Sequence, residues 1–81
     1  MLVTVKLFAG LRELAGAGEL RLNVAEGSHV SDVWRVLADR HAGMAAYAPS
    51  ISCAVNADYS RMTAAVQDGD EIAFLPPVSG G

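Results

Sequence analysis

The fold is decided by the last stretch of the chain, which reads Asp68-Gly69-Asp70-Glu71-Ile72-Ala73-Phe74-Leu75-Pro76-Pro77-Val78-Ser79-Gly80-Gly81. The Asp-Gly-Asp opening is a strong turn signal, and residues 71–75 are predicted to form the last strand. Pro76 and Pro77 must end that strand, because proline supplies no N–H donor to a sheet ladder. We expect this strand to lie centrally, beside the first strand, so that the chain after it leaves the end of the sheet.

The preceding residues predict further strands and one short helical turn. Residues 2–8 and 19–24 alternate between apolar and polar side chains, as half-buried antiparallel strands do. A third strand is predicted over residues 51–56, followed by a turn over residues 56–58 and a short edge strand near residues 59–62. Residues 11–15 allow about one helical turn, after Ala9-Gly10 breaks the first strand and before Gly16-Ala17-Gly18 stops the helix.

The main helix is predicted between the second and third strands. One helical face carries the apolar or aromatic positions Val30, Val33, Trp34, Leu37, Ala38 and His41. Either Ser28 or Ser31 is expected to cap its start, and Gly43 is expected to stop it. Residues 44–50 should form a loop or a short turn.

This element order predicts an α+β domain in which one main helix packs across a mixed sheet of four to five strands. The chain has 81 residues, enough for one small domain. We assign the globular domain to residues 1–75 and a flexible C-terminal Gly-Gly tail to residues 76–81. Trp34 is expected in the core, and strand alternation is expected to turn either Phe8 or Phe74 outward.

Composition excludes several classes of function. The net charge is −3 and Lys6 is the sole lysine, so the sequence lacks the basic cluster that nucleic-acid binding requires. No signal peptide or membrane-spanning run is evident, and we expect a soluble, cytoplasmic protein. Cys53 has no second cysteine to pair with and is interpreted as a small buried residue.

No metal site is predicted. The two histidines, His29 and His41, lie far apart without accompanying ligands. The acidic residues near position 70 are interpreted as a turn with a solvated strand start, because a calcium site requires further oxygen ligands.

The tail carries the only chemistry that the sequence indicates. Gly80 and Gly81 have no side chains to obstruct a narrow channel, and we expect Gly81 to present a main-chain α-carboxylate. A carboxylate must be activated before it can react, most simply by adenylation with ATP. The chain has no phosphate-binding loop, so another protein would have to activate it. The alternative interpretation is a frayed end without function.

The chain resembles the MoaD group of ubiquitin-like sulfur carriers, the small subunits of molybdopterin synthase, which belong to the MoaD/ThiS family. The resemblance covers essentially the whole chain and lies in residues 68–81, in Leu7-Phe8-Ala9-Gly10-Leu11-Arg12-Glu13-Leu14 and in Ala54-Val55-Asn56. It implies a ubiquitin-like β-grasp fold. It also implies that Gly81 is adenylated and then thiocarboxylated, and that Gly80 lets the tail enter a channel of the partner. The family docks its partner at positions that match Phe8, Arg12, Phe74, Leu75, Pro76, Pro77, Val78 and Ser79.

The resemblance further implies the partners. An E1-like adenylyltransferase (MoeB-like) would use ATP to activate the tail, and the small subunit itself would bind no cofactor. A large subunit (MoaE-like) would supply the catalytic side chains that build the molybdopterin dithiolene from cyclic pyranopterin monophosphate. Two small and two large subunits would form a heterotetramer.

Three alternatives stay open at this point. The chain could carry sulfur for thiamine, cysteine or tRNA thiolation, although the double proline argues against the thiamine carrier. It could instead be a ubiquitin-like modifier joined to lysines, or an interaction module with an inert tail.

Overall fold

The computed structural model describes residues 1–77, and Val78–Gly81 lie outside the described part. In chain order its elements are β1 (Leu2–Leu7), α1 (Ala9–Ala15), β2 (Glu19–Asn23), α2 (Val30–Arg40), a 3-10 helical turn (Met44–Tyr47), β3 (Ser52–Val55), β4 (Asp58–Ser60) and β5 (Glu71–Leu75). The strands form one sheet of order β2-β1-β5-β3-β4. The predicted α+β architecture with a mixed sheet is confirmed, and the last strand lies beside the first.

The central position of β5 follows from its two ladders. It pairs parallel with β1, where Leu7 stands opposite Phe74, and antiparallel with β3, where Ser52 stands opposite Leu75. The predicted antiparallel pairing of β1 with β2 is also present. Since a central strand must donate hydrogen bonds on both sides, the prolines begin only after the last paired residue, Leu75.

Strand alternation directs every second side chain of the sheet toward the core. The buried residues of the strands pack with one face of α2, and this core consists chiefly of Val3, Val5, Leu7, Leu22, Val30, Val33, Trp34, Leu37, Cys53, Ile72 and Phe74. The ring centroids of Trp34 and Phe74 are 5.1 Å apart in a tilted arrangement, a geometry that aromatic pairs prefer. The prediction of a buried Cys53 is confirmed, and its burial raises the pKa of the thiol.

Both predicted ends of α2 need correction. The residue at the N-cap is His29, and neither Ser28 nor Ser31 takes that role. The His29 backbone N–H donates to Asp32 Oδ2 at 2.8 Å, so the cap is supplied from inside the helix by a carboxylate. At the other end α2 stops at Arg40, earlier than Gly43, which has a φ of 90° and begins the 3-10 turn instead.

Shorter elements also differ from their predicted bounds. The predicted break of the first strand is confirmed, since β1 ends at Leu7. Ala9 and Gly10 belong to helix α1, however, which starts at Ala9 with a φ of 48° and is longer than the predicted single turn. The edge strand begins at Asp58, one residue before its predicted start. The predicted turn is confirmed and is formed by Asn56 and Ala57, both in the left-handed region with φ of 50° and 71°, as a type I′ hairpin turn requires.

Acidic side chains hold the turn that precedes β5. Asp68 Oδ1 accepts the Leu2 backbone N–H at 2.7 Å, and Asp70 Oδ2 accepts the Gln67 N–H at 2.8 Å. The Asn56 amide donates to Asp70 Oδ1 at 2.9 Å and accepts the Glu71 N–H at 3.0 Å. These contacts support the interpretation of the acidic cluster as a structural turn. Over residues 1–77, none of the helices has the length and apolar character required to cross a membrane.

Candidate functional site

The candidate site lies where β5 ends and the tail begins. Leu7 and Phe74 form the last pair of the parallel ladder, and Phe8 and Leu75 are the next residues of the two segments. On the other side of β5, Leu75 stands opposite Ser52. The structure therefore brings the ends of three segments together around the root of the tail.

Phe8 is a large exposed aromatic residue at this edge. It is the extended N-cap residue of α1, with φ −129° and ψ 154°, and its carbonyl accepts the Leu11 N–H at 3.1 Å. Since neighbouring residues of a strand point to opposite faces and Leu7 is buried, Phe8 is directed away from the core. Its side chain is 44% exposed. An exposed aromatic beside the tail root favours contact with another protein.

Phe74 occupies a different environment. Its side chain is fully buried against Trp34, so it offers no surface to a partner. The sequence-based assignment of Phe74 to partner docking therefore needs correction. Strand alternation explains the outcome, because Phe74 lies in the same inward-facing set as Ile72.

Residues after Phe74 become progressively more accessible. Leu75 and Pro76 are half-buried, and Pro77 is exposed. The remaining predicted site residues, Val78, Ser79, Gly80 and Gly81, lie outside the described residues, and their roles stay predictions.

Arg12 reaches the same end of the sheet by contact with Gly18. The Gly18 carbonyl accepts the Leu7 N–H at 2.9 Å, which places Gly18 beside the end of β1. A Cβ on Gly18 would lie 3.2 Å from Arg12 Nε and 3.3 Å from Cζ. The side chain of Arg12 thus runs across Gly18, a contact that the sequence interpretation of Gly16-Ala17-Gly18 as a helix stop missed. We call Phe8, Arg12, Gly18, Ser52 and Leu75 the tail-root surface.

The outer face of the sheet continues from this surface. One row across the sheet is formed by Glu19, Lys6, Ala73, Ala54 and Tyr59. Tyr59 is 81% exposed, and Lys6 Nζ lies 3.4 Å from Glu71 Oε1. Both ion-pair partners are solvent-accessible, so the pair contributes little stability. Sequence reasoning did not single out Tyr59, although its place on an edge strand was predicted.

Other chemical sites are not evident in the part of the chain that the structure describes. Among residues 1–77 no group of three His, Cys, Asp or Glu side chains is placed to hold a metal ion. An open cleft of about 340 Å³ lies between the end of β2 and α2, and its lining includes Asn23, Ser28, Asp32, Arg35 and Asp39. Asn23 is at the opposite end of β2 from Glu19, which is paired with Lys6, so the cleft is remote from the tail-root surface.

Sequence comparison supplies family information. The ThiS family model matches residues 5–81. The chain is 34% identical over 83 residues to the molybdopterin synthase sulfur carrier subunit of Chlamydomonas reinhardtii, with 100% of both chains covered. It is 33% identical over 82 residues to the human protein of the same name, with 98% of this chain and 93% of that protein covered.

Structural comparison agrees with the fold. The crystal structure of SAMP1 from Haloferax volcanii superimposes with a TM-score of 0.84 at 31% identity, and 100% of both chains is covered. The predicted ubiquitin-like β-grasp architecture is confirmed by this likeness. The similarity to named relatives extends over the globular part and the tail together.

Proposed function

The chain belongs to the ThiS family, and we propose that it is the sulfur carrier subunit of a molybdopterin synthase. The observation that carries the proposal is the tail-root surface, where central strand β5 ends at Leu75, just before Pro76 and Pro77, and where Phe8 is exposed. A surface of this kind lets a partner hold the domain while it receives the residues that follow. We place the protein in the cytoplasm as part of this proposal.

The reactive group in this proposal is the main-chain carboxylate of Gly81. An E1-like enzyme catalyses its attack on the α-phosphorus of ATP, and pyrophosphate leaves. A hydrosulfide equivalent then displaces AMP from the acyl adenylate, which leaves a thiocarboxylate on Gly81. ATP is a substrate of the activating enzyme, and we propose that this chain binds no cofactor of its own.

The partner of the thiocarboxylate form is the large synthase subunit. We propose that Gly80 and Gly81 enter a channel of that subunit, while Phe8, Arg12 and Leu75 contact its surface. The large subunit supplies the side chains that transfer the sulfur to cyclic pyranopterin monophosphate. Two copies of each subunit form the assembly.

Intact-mass measurement tests the activation step. The full chain is incubated with its E1-like enzyme, ATP and a sulfur source, and the gain of one sulfur in place of one oxygen is expected. A variant lacking Gly81 is the matched control and should keep its mass. An unchanged mass of the full chain, under conditions that activate an established sulfur carrier, would refute the proposal. Conversion of cyclic pyranopterin monophosphate after addition of the large subunit then separates this pathway from other sulfur pathways.

A second candidate function is protein modification. It is favoured by the likeness to SAMP1 of Haloferax volcanii, whose name describes a small archaeal modifier protein. The same acyl adenylate would then pass to a lysine amine, with formation of an amide bond and release of AMP. Covalent adducts on other proteins, found in the presence of ATP and the activating enzyme, would support this candidate over sulfur transfer.

A further inference from the structure

We propose that Gly18 is a positioning residue for docking: its missing Cβ lets the Arg12 side chain lie across it, so that the guanidinium meets a carboxylate of the large subunit. This inference rests on the proposed function, because it concerns the same partner and the same surface. It assigns a role to a glycine outside the tail.

Arg12 packs closely against the main chain at Gly18. A Cβ at Gly18 would approach three consecutive atoms of Arg12, with distances of 3.4 Å to Cδ, 3.2 Å to Nε and 3.3 Å to Cζ. The arginine therefore runs along the main chain at Gly18, and a larger residue at that position would require the Arg12 side chain to shift. Gly16, Gly27 and Gly69 differ, since each has a left-handed φ and open space around the Cβ position. Gly18 thus differs from these three glycines in its neighbour and in lacking a left-handed φ, as does Gly10, where a Cβ would meet the Tyr47 side chain.

Arg12 lies on the same surface as the exposed Phe8. Arg12 lies one helical turn after Phe8, and its backbone N–H donates to the Phe8 carbonyl at 3.4 Å. Residues four apart near a helix start share one side, so the cation and the exposed aromatic belong to one surface. Among residues 1–77 Arg12 takes part in no salt bridge, and its side chain is exposed.

The chemistry of the partner follows from the guanidinium group. Its planar fork of N–H donors matches a carboxylate with two parallel hydrogen bonds. A long side chain loses rotamer freedom when it is fixed in an interface, and this loss opposes binding. In this proposal docking uses the path along Gly18 that Arg12 already takes, which reduces that loss. The large subunit should therefore present an Asp or Glu to this position.

A double-mutant cycle tests the inference with full-length chains and the cognate large subunit. Arg12→Ala should raise the dissociation constant about fivefold, as expected for the loss of one accessible charge pair. Gly18→Val should weaken it by about threefold or more, and Gly18→Ala by less, because the larger side chain displaces Arg12 further. Combined with Gly18→Val, Arg12→Ala should add almost nothing. Raising the salt concentration should reduce the differences between the dissociation constants of the variants and that of the unaltered chain, since the lost contact is ionic.

Gly27→Ala is the matched control. Its left-handed φ of 84° makes alanine strained there, so it should lower stability and leave docking unchanged. Gly18→Ala should show the reverse pattern, with an unchanged urea midpoint and weaker docking. If the unaltered chain binds but Gly18→Val binds equally well, or if the effects of Gly18→Val and Arg12→Ala simply add, the role of Gly18 is refuted alone. If the unaltered chain does not bind the large subunit, the proposed function fails and this inference fails with it.

Discussion

The two phenylalanines near the tail offer a matched test of the assigned surface. Phe74 is fully buried against Trp34, whereas Phe8 is 44% exposed. We therefore compare the same substitution at both sites, Phe74→Leu and Phe8→Leu. The first should reduce the free energy of unfolding, and the second should weaken docking to the partner.

The structure sets the size of the effect at Phe74. Loss of about one methylene equivalent of buried surface costs about 0.8 kcal/mol. Loss of the tilted ring pair with Trp34 removes a further ~0.5–1.5 kcal/mol, and the small cavity left behind adds about 0.5 kcal/mol. The sum is about 2 kcal/mol, which in a domain of this size lowers Tm by about 8–16 °C. Phe8→Leu should change stability by about 0.5 kcal/mol or less, because its side chain is largely solvated.

Urea unfolding measures both variants. Trp34 is the sole tryptophan and is buried, so its fluorescence reports the transition. Far-ultraviolet circular dichroism serves as a second probe, since Phe74 touches the reporting ring. Equal losses of stability in the two variants would refute the assignment of Phe8 to the surface and of Phe74 to the core. So would a Phe74→Leu variant that keeps its stability but loses affinity for the large subunit.

Three further outcomes are expected. Ala57→Gly should raise the free energy of unfolding by about 0.5–1 kcal/mol, because a left-handed alanine is strained; an unchanged urea midpoint would contradict this. The Asp32 carboxyl has a pKa below its ordinary value of 3.8, chiefly because it accepts the His29 backbone N–H. Its contribution to the free energy of unfolding is therefore present above pH 3.8 and is lost as the pH falls through the lower pKa of the folded state. Asp32→Asn should therefore flatten the acid limb of a Tm-against-pH curve, and an identical limb would argue against it. Deleting Gly81 should abolish thiocarboxylate formation, seen by intact mass, without changing Tm; a lower Tm would show that the tail stabilises the domain.

The fold was largely predictable because its signals are local and repeated. Alternation in β1 places Val3, Val5 and Leu7 inside, and the helical spacing of Val30, Val33, Trp34 and Leu37 places one face of α2 over them. The prolines after Leu75 marked the end of the last strand. Each of these patterns involves several residues, so one competing contact does not alter the result.

Single-residue features were harder to predict. His29 takes the N-cap because Asp32 accepts its N–H and Ser28 donates its hydroxyl to Ala25, a choice between near-equal local contacts. Phe74 pairs with Leu7 in the parallel ladder and Phe8 follows Leu7, so strand alternation places Phe74 in the core and Phe8 outside it; the sequence predicted that one of the two would face outward but not which one. The contact of Arg12 with Gly18 depends on how α1 lies over the end of the sheet. No spacing in the sequence contains that information.

The central place of β5 also bears on the order in which the chain assembles. The Leu2 N–H bonds to Asp68, 66 positions away, at the start of the ladder that joins β1 to β5. Pairings that close such long loops form slowly, because chain entropy is lost before the contacts are gained. The ladder that ends just before Phe8 and Leu75 therefore forms only when nearly the whole chain has folded. An activating enzyme that recognises both residues would act on finished domains and pass over nascent or partly folded ones.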